Sequence, residues 1–463
     1  MLDARFVQGF PKSVRIACLV RVAPRLAPTL GLRGATIAAM NRPPHHHTST
    51  PPTILPVPGQ PTLKRELGPV LLTLYGLGTI LGAGIYVVIG EVAGTAGLLT
   101  PFAFVLAALV ASLTALSFSE LTARIPAAGG PIDYAREAFG RRGLNIAIGW
   151  GLAITGMVSA ATVLTGFERY ASLFLDLPAL LTIAITTLIL GGIAMAGIRE
   201  SAWFMAVTTL LGLGGLGYVV WVAAPDMASA PVALADALDN IEAQMLLGMF
   251  LGAFLAFFAF IGFEDMTTLA EEVRDVKRNL PRAIVATVLI SLAIYALVTV
   301  AATSVLSPDL LAEAQAPLVA VVEAKGHPGV PLGLISLLII VNGALAQIIM
   351  AARLIMDMGR NRQGAPAFLG QIHPRTHTPL IATVLATTVT LLLALFLPLK
   401  TLANLTSGIV LAVFVTVNAS LIVLKRRGQP GDVPNLPRWI PWSGMILSAA
   451  ALVAQGLIMM LDE

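Results

Sequence analysis

The sequence predicts an all-α polytopic membrane protein. Three observations carry that expectation: high apolar content, apolar runs of bilayer length that recur along the chain, and basic residues gathered in alternate loops. Of 463 residues, 57% are hydrophobic and 12% are charged, about half the charge of a typical soluble domain. Runs of roughly 20 apolar residues, enough to cross a bilayer, recur from about residue 67 onward with short polar breaks. No room remains for a separate soluble domain, and the lipid bilayer is the expected surrounding.

The apolar runs predict about 11 spans, near residues 69–90, 99–122, 143–167, 178–197, 201–224, 245–272, 282–306, 331–356, 379–397, 401–424 and 440–460. With the N-terminus inside, the cytoplasmic loops hold Arg124, Arg136, Arg141, Arg142, Arg199, Arg274, Lys277, Arg278, Arg362 and Lys425 to Arg427. The opposite loops hold Asp176, Asp226, Asp236, Asp239 and Asp309, with Lys325 and Lys400 as exceptions. Because the Lys/Arg bias sets topology, this alternation predicts a multi-pass protein of the cell membrane with a cytoplasmic N-terminus. An odd number of spans puts Asp462 and Glu463 outside. The formal charge of +4 then reads as membrane orientation, and no nucleic-acid partner is expected.

Residues 1–62 differ from the remainder. Arg and Lys recur there, Asp3 is the only acid, and prolines crowd Pro43 to Pro61, a composition that predicts a disordered basic tail. Met40 is an alternative start. His45, His46 and His47 are adjacent in a tract of this kind and read as solvated, so no metal is expected. Cys18 is the single cysteine, which excludes an intramolecular disulfide and a thiolate cluster. Residues 63–463 form the predicted transmembrane domain.

Two spans are expected to be interrupted. The first reads YGLGTILGAGIY from Tyr75 to Tyr86, with glycines at 76, 78, 82 and 84. Glycine this dense weakens a helix by up to about 1 kcal/mol per residue. It serves either an opened backbone that lines a cavity or close helix packing through small residues. The sixth begins as the uncharged run Met245 to Ile261, then reads Gly262, Phe263, Glu264, Asp265, and is expected to continue as a helix carrying Glu271 and Glu272. Adjacent carboxylates are costly in lipid and should face a polar interior. One interrupted span per half, five apart, is the pattern of an inverted-repeat transporter. Five is odd, so the second copy runs in the opposite direction.

Four stretches resemble the amino acid-polyamine-organocation superfamily of permeases: Gly78 to Tyr86, Glu120 to Gly140, Phe257 to Ile284, and Asn342 to Leu354 with Pro374 to Thr383. The resemblance implies a five-plus-five inverted-repeat (LeuT-like) fold with alternating access around the broken first and sixth helices. It implies that the amides of Gly82, Ala83, Gly84 and Ile85 hold a substrate carboxylate, a role that an exposed helix start and its dipole suit. It also implies that carbonyls around Phe258, Phe260, Ile261 and Gly262 accept from an ammonium under an aromatic ring, although both phenylalanines could instead serve packing. Ile154, Thr155 and Ser159 match positions that face the substrate side chain, and Glu264 matches a gating and coupling position. A structural acceptor for nearby amides is the other reading of Glu264. The chain departs from relatives in having Gly212 where some carry a lysine and Ala352 where many carry a serine, which puts sodium coupling and the familiar proton surrogate in doubt.

The expected function is secondary active transport of amino acids, driven by protons. The alternatives are a carrier of polyamines or other organic cations, an amino acid exchanger, and a non-transporting sensor on the same fold. No HExxH, Gly-x-Ser-x-Gly or phosphate-loop lysine pattern points to an enzyme, and no cofactor is expected.

Overall fold

The computed structural model describes residues 67–127, 129–196, 202–270, 272–360, 364–376, 378–431 and 433–461. The readings made on residues 1–62, and on Arg199, Glu271, Arg362, Asp462 and Glu463, fall outside them. Within the described residues the regular elements are helices: α1 Pro69–Ala83, α2 Ile85–Ala96, α3 Thr100–Arg124, α4 Pro131–Phe139, α5 Arg142–Ala171, α6 Ala179–Ala196, α7 Ala202–Met227 and α8 Ala230–Asp239. They continue as α9 Ala243–Phe257, α10 Val276–Val305, α11 Pro308–Glu313, α12 Pro317–Ala324, α13 Val330–Arg360, α14 Leu380–Phe396, α15 Leu399–Arg427 and α16 Trp439–Leu461. A helix satisfies its backbone within itself, the condition for crossing hydrocarbon. Among the described residues eight stretches are long and apolar enough to cross a membrane, with α1 and α14 as shorter apolar helices.

Every apolar run expected from the sequence coincides with a helix or a broken pair of helices. The short helices α4, α8, α11 and α12 were not expected; each carries proline in its first turn, where the missing N–H costs nothing. The sixth span departs from expectation. Its helix stops at Phe257, and Glu264–Leu269 is a 3-10 segment rather than a renewed α-helix. Beyond it the chain turns, and Val273 forms a parallel bridge with Leu67, through Leu67 N to Glu272 O (3.1 Å) and Arg274 N to Leu67 O (3.0 Å). The segments before the first break and after the second are thereby tied together.

Packing follows a five-span offset. The second span (α3) lies against the seventh (α10), the third (α5) against the eighth (α13), and the fourth (α6) against the ninth (α14). The first and sixth meet through α2 and α9. Such pairing is what a five-plus-five repeat produces around its axis. Tyr86, Phe104, Phe118, Tyr295 and Phe414 are fully buried in the interior, while Leu180, Leu188, Leu210 and Phe396 are 56–77% exposed on the flanks. That outer face suits lipid and not water.

Candidate functional site

The two breaks lie against one another. Helix α1 ends at Ala83; Gly84 (φ −90°, ψ −114°) leaves helical geometry, and α2 restarts at Ile85. A helix start leaves its first amides without intrahelical acceptors. A Cβ on Gly84 would fall on the Tyr295 hydroxyl, 2.5 Å from the Ile80 carbonyl oxygen and 2.8 Å from that of Ala259. Glycine is required there because another backbone passes too close for any side chain. Gly82 serves the other role the sequence left open: its α-carbon face meets Gly343 and the Ile339 carbonyl of α13, where a Cβ would lie 3.2 Å from both.

On the opposing side, α9 gives way to a single 3-10 turn over Phe258–Phe260, and Ile261 is extended. Gly262 follows with φ +126°, a conformation that side-chain-bearing residues rarely adopt. The Gly262 N–H donates to Glu264 Oε2 (3.0 Å), and its carbonyl accepts from Thr79 Oγ1 (3.2 Å). Thr79, in α1, therefore links the two interrupted segments directly. Phe258, Phe260 and Ile261 are buried.

Tyr295 of α10 joins the breaks, and sequence reading missed it. Its hydroxyl donates to the Ile80 carbonyl (3.2 Å) and fills the place a Cβ on Gly84 would take. Its ring packs edge-on to Phe260, with centroids 5.1 Å apart. A lone tyrosine in an apolar run carries no periodicity or motif that would single it out.

Among the other expected residues, Thr155 and Ser159 are buried on one face of α5, Thr155 bonding the Gly151 carbonyl (2.9 Å). The Ser159 hydroxyl has no partner among the described residues. Ile154 is 40% exposed, one position around the helix from Thr155. Glu264 is 5% exposed. Its neighbour Asp265 accepts from Gln347 Nε2 of α13 (3.1 Å), and Gln347 Oε1 is left without a partner among the described residues. At Gly212 the Tyr86 hydroxyl donates to the carbonyl (2.8 Å), and a Cβ would lie 2.7 Å from Ile339 Cδ1. Ala352 packs in an apolar cluster with Ala153 and Met157. Neither position offers a hydroxyl or an amine.

A profile of the amino acid permease family matches residues 72–462. The chain belongs to this family. It is 30% identical over 399 residues to a branched-chain amino acid permease of Bacillus subtilis, covering 82% of this chain and 84% of that one. It is 28% identical over 399 residues to a methylthioribose transporter of the same organism (79% and 82% covered). It is also 28% identical over 407 residues to the vacuolar cationic amino acid transporter 4 of Arabidopsis thaliana (81% and 66% covered). The permease is thus a multi-pass transporter and not an enzyme, and the match spans both helix breaks. Among the described residues no group of three metal-ligating side chains occurs.

Proposed function

We propose that this permease is a proton-driven carrier of uncharged α-amino acids that works by alternating access between the broken first and sixth helices. The observation that carries the reading is the meeting of the breaks at Gly84 and Ala259. A helix start there offers amides and positive dipole to a carboxylate, and an unwound strand a few ångströms away offers carbonyls to an ammonium. Gly84 and Ile85, at the break, hold the carboxylate end, and Gly82 and Ala83 close the last turn of α1 beside them. Phe258, Phe260, Ile261 and Gly262 hold the ammonium end. Thr155 and Ser159 face the side chain, with Ile154 at the margin of that face.

Small and apolar residues in this set, and carboxylates already bonded within the protein, support an uncharged substrate. The branched-chain permease among the relatives points the same way. Glu264 is assigned the coupling role because its carboxylate bonds the Gly262 amide at the break itself, so a change in its protonation acts directly on the hinge. The Lys/Arg alternation supports a cytoplasmic N-terminus in the cell membrane, and residues 1–62 are assigned as a tail outside the transporting core.

The test is uptake of each labelled amino acid, of putrescine and of methylthioribose into proteoliposomes, with and without an inward proton gradient. Gradient-dependent accumulation of an aliphatic amino acid is expected. Accumulation of putrescine alone would support the second reading, an organic-cation carrier, for which the adjacent carboxylates of buried Glu264 and half-buried Asp265 are the favouring observation. Equal uptake without a gradient but with amino acid inside would indicate exchange.

A further inference from the structure

We propose that the basic ends of α15 and α16 hold the headgroup of an anionic phospholipid. A cavity of about 150 Å³ lies between them, lined by Ile422, Lys425, Arg426, Arg438, Pro441 and Trp442. The cations around it differ in what they already do. Lys425 is 8% exposed, and its ammonium is held by Glu120 (2.8 Å), Asn435 Oδ1 (3.0 Å) and the Leu436 carbonyl (2.6 Å). Arg427, next along, donates to the carbonyls of Glu137 (2.7 Å) and Ala138 (2.6 Å). Those two charges fasten helices to loops. Arg426 and Arg438 are exposed, and among the described residues no hydrogen bond or ion pair holds either of them.

Two uncommitted guanidiniums facing one hollow repel each other, and an anion between them removes that cost. Their planar forks match phosphate oxygens. The 23-residue helix α16 begins at Trp439 beside them, so its dipole adds to the same field. What lies next to the cations identifies the phosphate as a lipid's. Trp439 and Trp442 are 61% and 42% exposed, and further along α16 come the exposed Ile446 and Val453. Cation, indole and aliphatic side chain thus follow one another along a single helix, the order in which a bilayer presents headgroup, interface and acyl chain. A soluble phosphate has no use for the last two.

The experiment is native mass spectrometry of the detergent-purified full chain, titrated with phosphatidylglycerol, with phosphatidylcholine and with inorganic phosphate. Wild-type protein is expected to retain phosphatidylglycerol in preference to phosphatidylcholine. The pair of changes Arg426→Gln and Arg438→Gln should weaken phosphatidylglycerol binding by about thirtyfold and leave phosphatidylcholine unchanged. Arg426→Lys with Arg438→Lys restores the charge but not the fork and should recover only part of the loss, and added salt should weaken binding to the wild type. Equal retention of the two lipids, or unchanged affinity in the glutamine pair, would overturn the proposal. So would full displacement by millimolar inorganic phosphate, which would make this a simple anion site. If the glutamine pair does not fold, the salt series on the wild type decides: binding indifferent to salt would reject it.

Discussion

Tyr295 shows how much can rest on one hydroxyl. It bonds the Ile80 carbonyl in the last turn of α1 and fills the space beside Gly84 where α1 gives way to α2, so it packs on the break from outside. Tyr295→Phe leaves the Ile80 carbonyl without that partner at a cost of about 1–3 kcal/mol. A lower apparent melting temperature and weaker substrate binding are both expected, read by thermal shift with and without amino acid; unchanged values in both would remove Tyr295 from the site. Glu264→Gln keeps an acceptor oxygen for the Gly262 amide but cannot titrate. Substrate binding should survive while proton-driven accumulation is lost. Wild-type accumulation with unchanged pH dependence would return Glu264 to the role of a passive acceptor. Both carboxylates of the pair were visible in the sequence as costly residues beside a glycine. The Gln347 partner of Asp265 and the Thr79 hydroxyl on the Gly262 carbonyl were not, because they arrive only after distant segments pack.

Among the elements, the sixth span taught most. Its apolar first half and its break at Gly262 were legible from an uncharged run that stops at Gly-Phe-Glu-Asp. The second half was expected to be a helix and is a 3-10 segment followed by a turn. Local pattern could not foresee this, since the bridge of Val273 to Leu67 imposes an exit direction that a continuing α-helix would miss. Gly262 turns the chain at this break with φ +126°. Gly262→Ala places a side chain at φ +126° and 3.2 Å from Thr79, a strain of roughly 1–3 kcal/mol. The variant should insert in the membrane, unfold at lower temperature and transport poorly. Wild-type thermal stability would show that the break tolerates an ordinary residue.

One ion pair and one pair of hydrogen bonds each join loops of like expected sidedness. Lys325, an exception to the basic bias, pairs with Asp226 (2.9 Å), joining two loops expected on the acidic face. Arg427, after the tenth span, bonds the carbonyls of Glu137 and Ala138, joining two loops on the basic face. Sidedness relative to the cell is a proposal that rests on the basic bias. With Cys18 replaced by serine, a cysteine at exposed Asp236 should react with an impermeant maleimide from outside; exclusive labelling from the cytoplasm would invert the topology. Deletion of residues 1–39 should leave uptake intact at equal membrane expression, because the tail carries no apolar periodicity to pack against the core. Loss of uptake at equal expression would place that segment in the transport cycle.

Composition and the spacing of apolar runs determined by themselves that this chain lives in a bilayer, where its helices fall, and that two of them break at glycine. Those properties are local: they depend on transfer free energy per residue and on what a backbone without a Cβ can do. Only the tertiary structure decided which glycine opens the helix and which one packs, and that Tyr295 and Thr79 bind one break to the other. It also decided which of three consecutive cations, Lys425 to Arg427, remains free of internal work. Each of these turns on a neighbour one or more spans away in sequence, and a close approach of that kind exists only once distant helices have packed together.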